Sequence, residues 1–289
     1  MTAVEPGAEP VPAVSERAER LRLLARSPTF LTGATILVFW IVCAVAGPAF
    51  VPYDPLATDI LNALAPPSAA HWFGTDQLGR DVFSRVLVGS RDILLVAPFA
   101  TLLAAVCGTA LGLVAGYYGG VVDEVLGRLF EAFLAMPLVI VALLALVALG
   151  SSNLTVILVI GLSFTPLIAR TVRAAVLSER QLDYVLTAKL RMERGPHIML
   201  FEILPNVLGP ILVEVTVRLG YAIFAIATLS FLGFGIQPPS PDWGLSIASN
   251  YALIGGGLWW TVLFDALAIA SLVVGVNLLA DGLASALDA

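Results

Sequence analysis

The chain has 289 residues, 59% hydrophobic and only 12% charged, with 15 Lys and Arg against 21 Asp and Glu, a net charge of −6 and a mean hydropathy of +0.95. About half the charge of a typical soluble protein leaves too little polar surface to solvate a globule, which excludes an ordinary soluble domain. Its two cysteines, Cys43 and Cys107, both lie in apolar runs and exclude a disulfide framework.

In chain order, residues 1–14 are rich in Pro, Ala and Glu and read as disordered, and Ser15 to Ala25 reads as a short amphipathic helix. Residues 1–27 are therefore a tail ahead of a transmembrane domain over 28–289. A cleaved signal peptide fits poorly, since the first apolar stretch is too long for a signal core and sits behind an acidic tail. A lipoprotein site at Cys43 fits poorly too, because bulky Val42 precedes it. Uncharged stretches run from Ser27 to Tyr53, Ile93 to Val122, Ala132 to Ala169, Leu219 to Pro241 and Trp243 to Phe264. Each exceeds the roughly 18 residues expected of a spanning helix. The third would extend about 57 Å as one helix, nearly twice the hydrocarbon thickness, so it must fold back. Gly150, Ser151, Ser152 and Asn153 supply the turn. The expected spans are six, near 29–51, 93–118, 126–149, 154–176, 208–235 and 258–280, with an external loop over 52–92 and a cytoplasmic loop over 177–206. The runs lack the alternation of membrane strands, and helices satisfy their own backbone groups in lipid. Pro98, Pro137 and Pro166 fall inside spans as kinks.

Six spans put both termini on one side. Arg17, Arg20, Arg22, Arg26, Arg128, Arg170, Arg173, Arg180, Lys189, Arg191 and Arg194 share that side, against Arg80, Arg85 and Arg91 opposite, with Arg218 inside span 5. The positive-inside rule therefore expects cytoplasmic termini, and the net negative charge does not oppose it because acidic residues contribute little to topology.

Catalytic patterns are missing. The only lysine, Lys189, follows Ala188, so no GxxxxGK[ST] phosphate loop exists, and no GxSxG occurs. His71 and His197 are expected on opposite sides of the membrane and cannot share a metal. No nucleic-acid partner is expected. Thr75 or Asp76 can cap a helix lying at the interface, with Val82, Phe83, Val86 and Leu87 as its apolar face. Glu214 and Arg218 are spaced for an i,i+4 ion pair near the cytoplasmic end of span 5. Asp265 lies inside span 6, where a lone carboxylate is costly, and both a subunit interface and a translocation path would suit it.

Four segments carry a resemblance. The cytoplasmic loop reads Asp183-Tyr184-Val185-Leu186-Thr187-Ala188-Lys189 and later Ile203-Leu204-Pro205-Asn206; the first external loop reads from His71 through Gly74-Thr75-Asp76 to Gly79-Arg80-Asp81 and Arg85. The turn after span 2 reads Gly116-Tyr117-Tyr118-Gly119-Gly120-Val121-Val122-Asp123, and the connection before span 6 runs from Ser230 through Gln237-Pro238-Pro239 to Pro241 and Trp243-Gly244. Together these resemble the dipeptide and oligopeptide ATP-binding-cassette importer permeases, most of all the second, C-type subunit, over most of the chain from about residue 28. The resemblance implies an all-α, six-helix, type I importer permease (MetI-like) fold in the bacterial inner membrane. It also implies a second permease, two cytoplasmic ATPase subunits, an extracytoplasmic substrate-binding protein and a peptide substrate. ATP and Mg would belong to the ATPase subunits, with no cofactor in this chain. Tyr184, Val185, Leu186, Thr187, Ala188, Met192, Leu204 and Pro205 would form the ATPase-coupling loop; Asp76, Arg80, Asp81, Gln237 and Trp243 would dock the binding protein; and Asp265, Glu214 and Arg218 are the candidates for pathway or interface. The loop departs from the family where Leu186-Thr187-Ala188 replaces Glu-Ala-Ala and Met192 replaces Gly, which implies a stiffer helix there. Nickel and heme importer permeases have a similar pattern, and an ion-coupled carrier, a channel or a membrane enzyme are the readings from other classes.

Overall fold

Ser27, whose Oγ accepts from Phe30 N, and Pro28 at the first helical position open the first long helix, α1 (Pro28–Phe50). The computed structural model describes residues 23–287, so the expected disordered tail and all but 23–25 of the expected amphipathic helix lie outside the described residues. After α1, a loop with one 3-10 turn (Ile60–Asn62) leads to α2 (Val82–Tyr118), α3 (Gly120–Leu134), α4 (Leu138–Leu149) and α5 (Asn153–Glu179). Then come the short α6 (Asp183–Leu190), a helical turn (Gly195–His197) and a π-helical stretch (Ile198–Ile203), which run into α7 (Leu204–Phe231). The chain ends with α8 (Trp243–Asn250) and α9 (Trp260–Leu287). No strand is present among the described residues beyond a single bridge between Thr75 and Asp81.

Among the described residues five helices are long and apolar enough to cross a membrane, or six if the bent pair α3–α4 counts as one span. Two expectations change here. The helix expected at the interface and span 2 are one element of 37 residues, and its cap is Asp81, which accepts from Ser84 N at 2.8 Å, rather than Thr75 or Asp76. Nothing between Val82 and Ile93 breaks the helix; Gly89 is instead the point where Pro241 O and the Trp243 ring press close. At about 55 Å, α2 is much longer than the hydrocarbon core is thick. The second change concerns 126–149, which is two helices bent by 85°, with Pro137 at the start of α4 instead of a kink inside one helix. Proline removes a donor, clashes with the carbonyl four residues back and turns its predecessor away from helical backbone. The Gly150–Asn153 turn is where it is expected: Gly150 has φ +85, and Ser152 caps α5 through Thr155 N.

The core is a seam between α2 and α5. Gly108, Gly112 and Gly116 stand four apart on α2, and a Cβ on them would come within 2.6–2.7 Å of the Cβ atoms of Ile168, Val172 and Val176 on α5. Small residues at this spacing let two backbones touch, which is how helices gain packing in lipid without a hydrophobic drive between them. The α1–α9 seam works the same way, with Gly33 against the Gly275 carbonyl. α7 fills the remaining side against α9, α2 and α5.

Candidate functional site

At the α6 end of the bundle the loop is a folded unit. Val185 and Ala188 are fully buried on one side of α6, as are Ile198 and Ile203 of the return segment, while Leu186, Leu190 and Met192 stand 45%, 83% and 90% exposed on the other. Tyr184 Oη donates to Glu179 Oε2 at 2.6 Å, and burial, reinforced by that bond, pushes its hydroxyl up to about 12. α6 ends in a Schellman arrangement: Met192 N donates to Lys189 O, Glu193 N donates to Ala188 O, and Met192 takes φ +58. Glycine suits that backbone. Met192 is thus in the turn beyond α6, which corrects the expectation that losing a glycine here stiffens a helix. Pro205 is exposed and Leu204 half-buried at the start of α7.

This unit is tied to the ends of the two central helices. Arg180 Nη1 donates to Gly116 O at 2.9 Å, satisfying a C-terminal carbonyl of α2, and Lys189 Nζ sits 5.3 Å from the centre of the Tyr117 ring. Arg173 of α5 holds Asp123 of α3 with a two-pronged pair, Nε to Oδ1 and Nη2 to Oδ2. The Gly116–Asp123 segment and the 183–206 loop, far apart in sequence, are therefore one structural site. A charged cleft of about 440 Å³ lined by Glu124, Arg128, Glu131, Arg170 and Arg173 opens beside it.

At the opposite end, the carboxylates of the 71–81 loop are satisfied within the loop and the first turn of α2. Asp76 accepts from Leu78 N, Arg80 N and Arg80 Nε; Asp81 accepts from Ser84 N and Ser84 Oγ and meets His71 Nδ1 at 2.9 Å. A Cβ on Gly79, φ +72, would overlap Asp59 O at 1.7 Å, so glycine is obligatory in that turn. Trp243 Nε1 donates to Val86 O, and its ring meets Trp40 edge-on. Asp76, Asp81 and Trp243 are 1%, 3% and 1% exposed. They hold the loops together and offer no contact surface, which corrects their expected docking role; Arg80 is mostly covered by its bond to Asp76, and Gln237 is exposed. Exposed apolar side chains outside the expected docking set, Ile60, Leu61 and Trp72, stand 78%, 96% and 60% open at this end. A cleft of about 510 Å³ lies between α2, the 150–153 turn and the prolines before α8, with Arg91, Asp92, Asn153 and Gln237 on its walls.

Asp265 is 1% exposed within its own chain, so it reaches neither a pathway nor a subunit interface, contrary to both expectations. It belongs to a buried charge cluster with Arg85, Asp242 and Asp76. Arg85, itself buried, donates to Pro55 O and Ser240 O and lies 3.8 Å from Asp76. Asp242 caps α8 through Leu245 N at 2.8 Å, and burial pushes its carboxyl up to about 6. Glu214 and Arg218 do pair, at 2.6 Å, but near the middle of α7 instead of at its end.

Residues 108–289 match the family described as the inner membrane component of binding-protein-dependent transport systems, and residues 17–67 match the N-terminal transmembrane domain of oligopeptide transport permease C. This chain is a permease of that family. A dipeptide transport system permease of Alkalihalophilus pseudofirmus is 38% identical to this permease over 96% of this chain and 90% of its own length. A probable D,D-dipeptide transport system permease of Escherichia coli is 38% identical over 92% and 89%. A dipeptide transport system permease of Bacillus subtilis is 37% identical over 96% and 87%. The permease is thus a membrane component of a transport system, and the family is that of the membrane subunit, not of the ATPase.

Proposed function

We propose that this permease forms, with a second permease, the translocation path of an ATP-driven importer of di- and oligopeptides. The observation that carries the coupling half of this reading is α6 and its closing turn: one face of the helix is buried on the bundle, and Leu186 and Leu190 on the other, with Met192 in the turn, are open to a partner. A cytoplasmic ATPase subunit seated on that face would move α6, and through Arg180 and Lys189 it would pull on the end of α2. ATP and Mg would be bound by the ATPase subunits. The termini and α6 are then cytoplasmic, with α3–α4 as the sixth crossing. Ile60, Leu61, Trp72 and Gln237 at the far end would receive the substrate-binding protein. The peptide reading is supported by the names of the relatives. Uptake of defined dipeptides by the reconstituted system, measured beside uptake of nickel and of heme, tests it: uptake of either with no peptide uptake assigns the permease to another cargo.

The second test is aimed at coupling. Leu186→Asp on the exposed face of α6 and Met192→Asp in the exposed turn that closes it place a charge there without touching the core, so the complex should assemble and hydrolyse ATP while uptake per ATP falls about tenfold or more, the effect of about 1.4 kcal/mol or more lost at one interface hot spot. Unchanged coupled uptake in both variants contradicts the placement.

A further inference from the structure

Glu214 and Arg218 sit about 15 Å from the start of α7 and about 20 Å from its end, at the depth where charge is most expensive in a bilayer. Residues 210, 214, 217, 218, 221 and 224 share one side of the helix. Tyr221 and Phe224 on it are 56% and 62% exposed, while Arg218 and Glu214 keep 20% and 16% of their side-chain surface, so the pair is mostly covered but reachable at its edge beside two open aromatic rings. Facing acyl chains, each charge would cost roughly 3 kcal/mol, so this face meets water or protein. The pairing leaves capacity unused. Arg218, whose guanidinium lies 5.3 Å from the centre of the Tyr221 ring, hydrogen-bonds Glu214 Oε1 through Nε alone, and among the described residues neither Nη1, Nη2 nor Glu214 Oε2 has a hydrogen-bond partner. The free edge of a guanidinium is a two-pronged receptor for a carboxylate, and a free carboxylate oxygen accepts from an ammonium. The charged ends of the pair touch at 2.6 Å, and the ends of an extended dipeptide are roughly 7 Å apart, so a dipeptide would straddle the pair from the free Nη edge to the free Oε2.

We infer that Glu214 and Arg218 form a peptide-terminus subsite on the wall of the translocation path. Arg218 takes the C-terminal carboxylate, Glu214 takes the α-ammonium, and Tyr221 and Phe224 meet the side chains without selecting among them. The pair is neutral overall, so it reads what all short peptides share. This inference rests on the importer reading.

The test is a saturation-transfer NMR titration of the purified complex of two permeases and two ATPase subunits, without binding protein, using alanyl-alanine and its C-terminal amide. Arg218→Gln should weaken alanyl-alanine binding about tenfold and Arg218→Lys, which keeps the charge and loses the fork, about threefold, the range expected for charged hydrogen bonds. The amide should bind the wild-type complex about tenfold more weakly than the free acid and lose nothing further in Arg218→Gln. Should Arg218→Gln fail to assemble, Arg218→Lys with the same two ligands decides. Equal binding of acid and amide, or a parallel loss of both in the variants, overturns the subsite while wild-type proteoliposomes still import alanyl-alanine. A wild-type complex supplied with its binding protein and ATP that imports no peptide overturns the importer reading and the subsite with it.

Discussion

Met192 occupies a left-handed backbone position that closes α6, where a Cβ is strained by roughly 1–2 kcal/mol. Met192→Gly should therefore raise the stability of the purified permease by up to about 1 kcal/mol, after glycine's extra unfolded-state entropy is subtracted. A higher melting temperature checks this, and a lower one refutes the Schellman reading. Asp242 gives the pH dependence. Its folded carboxyl titrates near 6, against about 3.9 unfolded, so the folded state binds the proton more tightly. Stability from this group is complete below about pH 4 and is lost as pH rises to about 6, with a burial penalty of about 2–3 kcal/mol above it. Asp242→Asn keeps the cap to Leu245 N and removes the titration. The melting temperature of the wild type should fall between pH 4 and 6 relative to the variant, and parallel curves would exclude this assignment. At this scale the sequence was legible in part. The motif from His71 to Arg85 is visible as residues, yet its Asp76, Asp81 and Gly79 turn inward to close a loop, and no local pattern says which way a loop aspartate points. Asp265 is the same case, since its cluster partner Arg85 is 180 residues away and was expected only as a loop charge.

The α2–α5 seam is an element-scale feature with a plain sequence signal, the Gly108, Gly112, Gly116 spacing, which only a search for small residues four apart would have found. A Cβ at Gly112 meets the Ala169 carbonyl at 2.7 Å, so even Gly112→Ala should destabilise by about 1–3 kcal/mol, and Gly112→Leu should separate the helices. Lower melting temperature and poor recovery of the complex are the expected readouts; full stability of the Leu variant would mean that the helices do not touch there. Long elements were legible because an uncharged run of helical length has one outcome in lipid: α1, α5 and α9 lie close to where hydropathy puts them. The broken pair α3–α4 was not, because hydropathy sees no difference between a proline that kinks a helix and one that ends it. The fused α2 was missed for a related reason: charged Arg85, Arg91 and Asp92 end an apolar run without ending a helix.

For the whole molecule, the coherent feature is a connection between two ends. α6 is held to the end of α2 by Lys189 over Tyr117 and to the end of α5 by Tyr184 on Glu179, Arg180 at the end of α5 closes on Gly116 of α2, and α2 continues for 37 residues to the loops around Asp81 and Trp243. A push on α6 therefore has a stiff element through which to reach the far loops. Reconstituting the permease with its second permease, ATPase subunits and binding protein, and measuring dipeptide uptake together with ATP hydrolysis for wild type and Leu186→Asp, tests this most directly. Uptake that depends on ATP in the wild type, and hydrolysis that continues while uptake collapses in Leu186→Asp, is the predicted result. ATP-independent uptake by the permease, or an unchanged ratio of uptake to hydrolysis in Leu186→Asp, would contradict it.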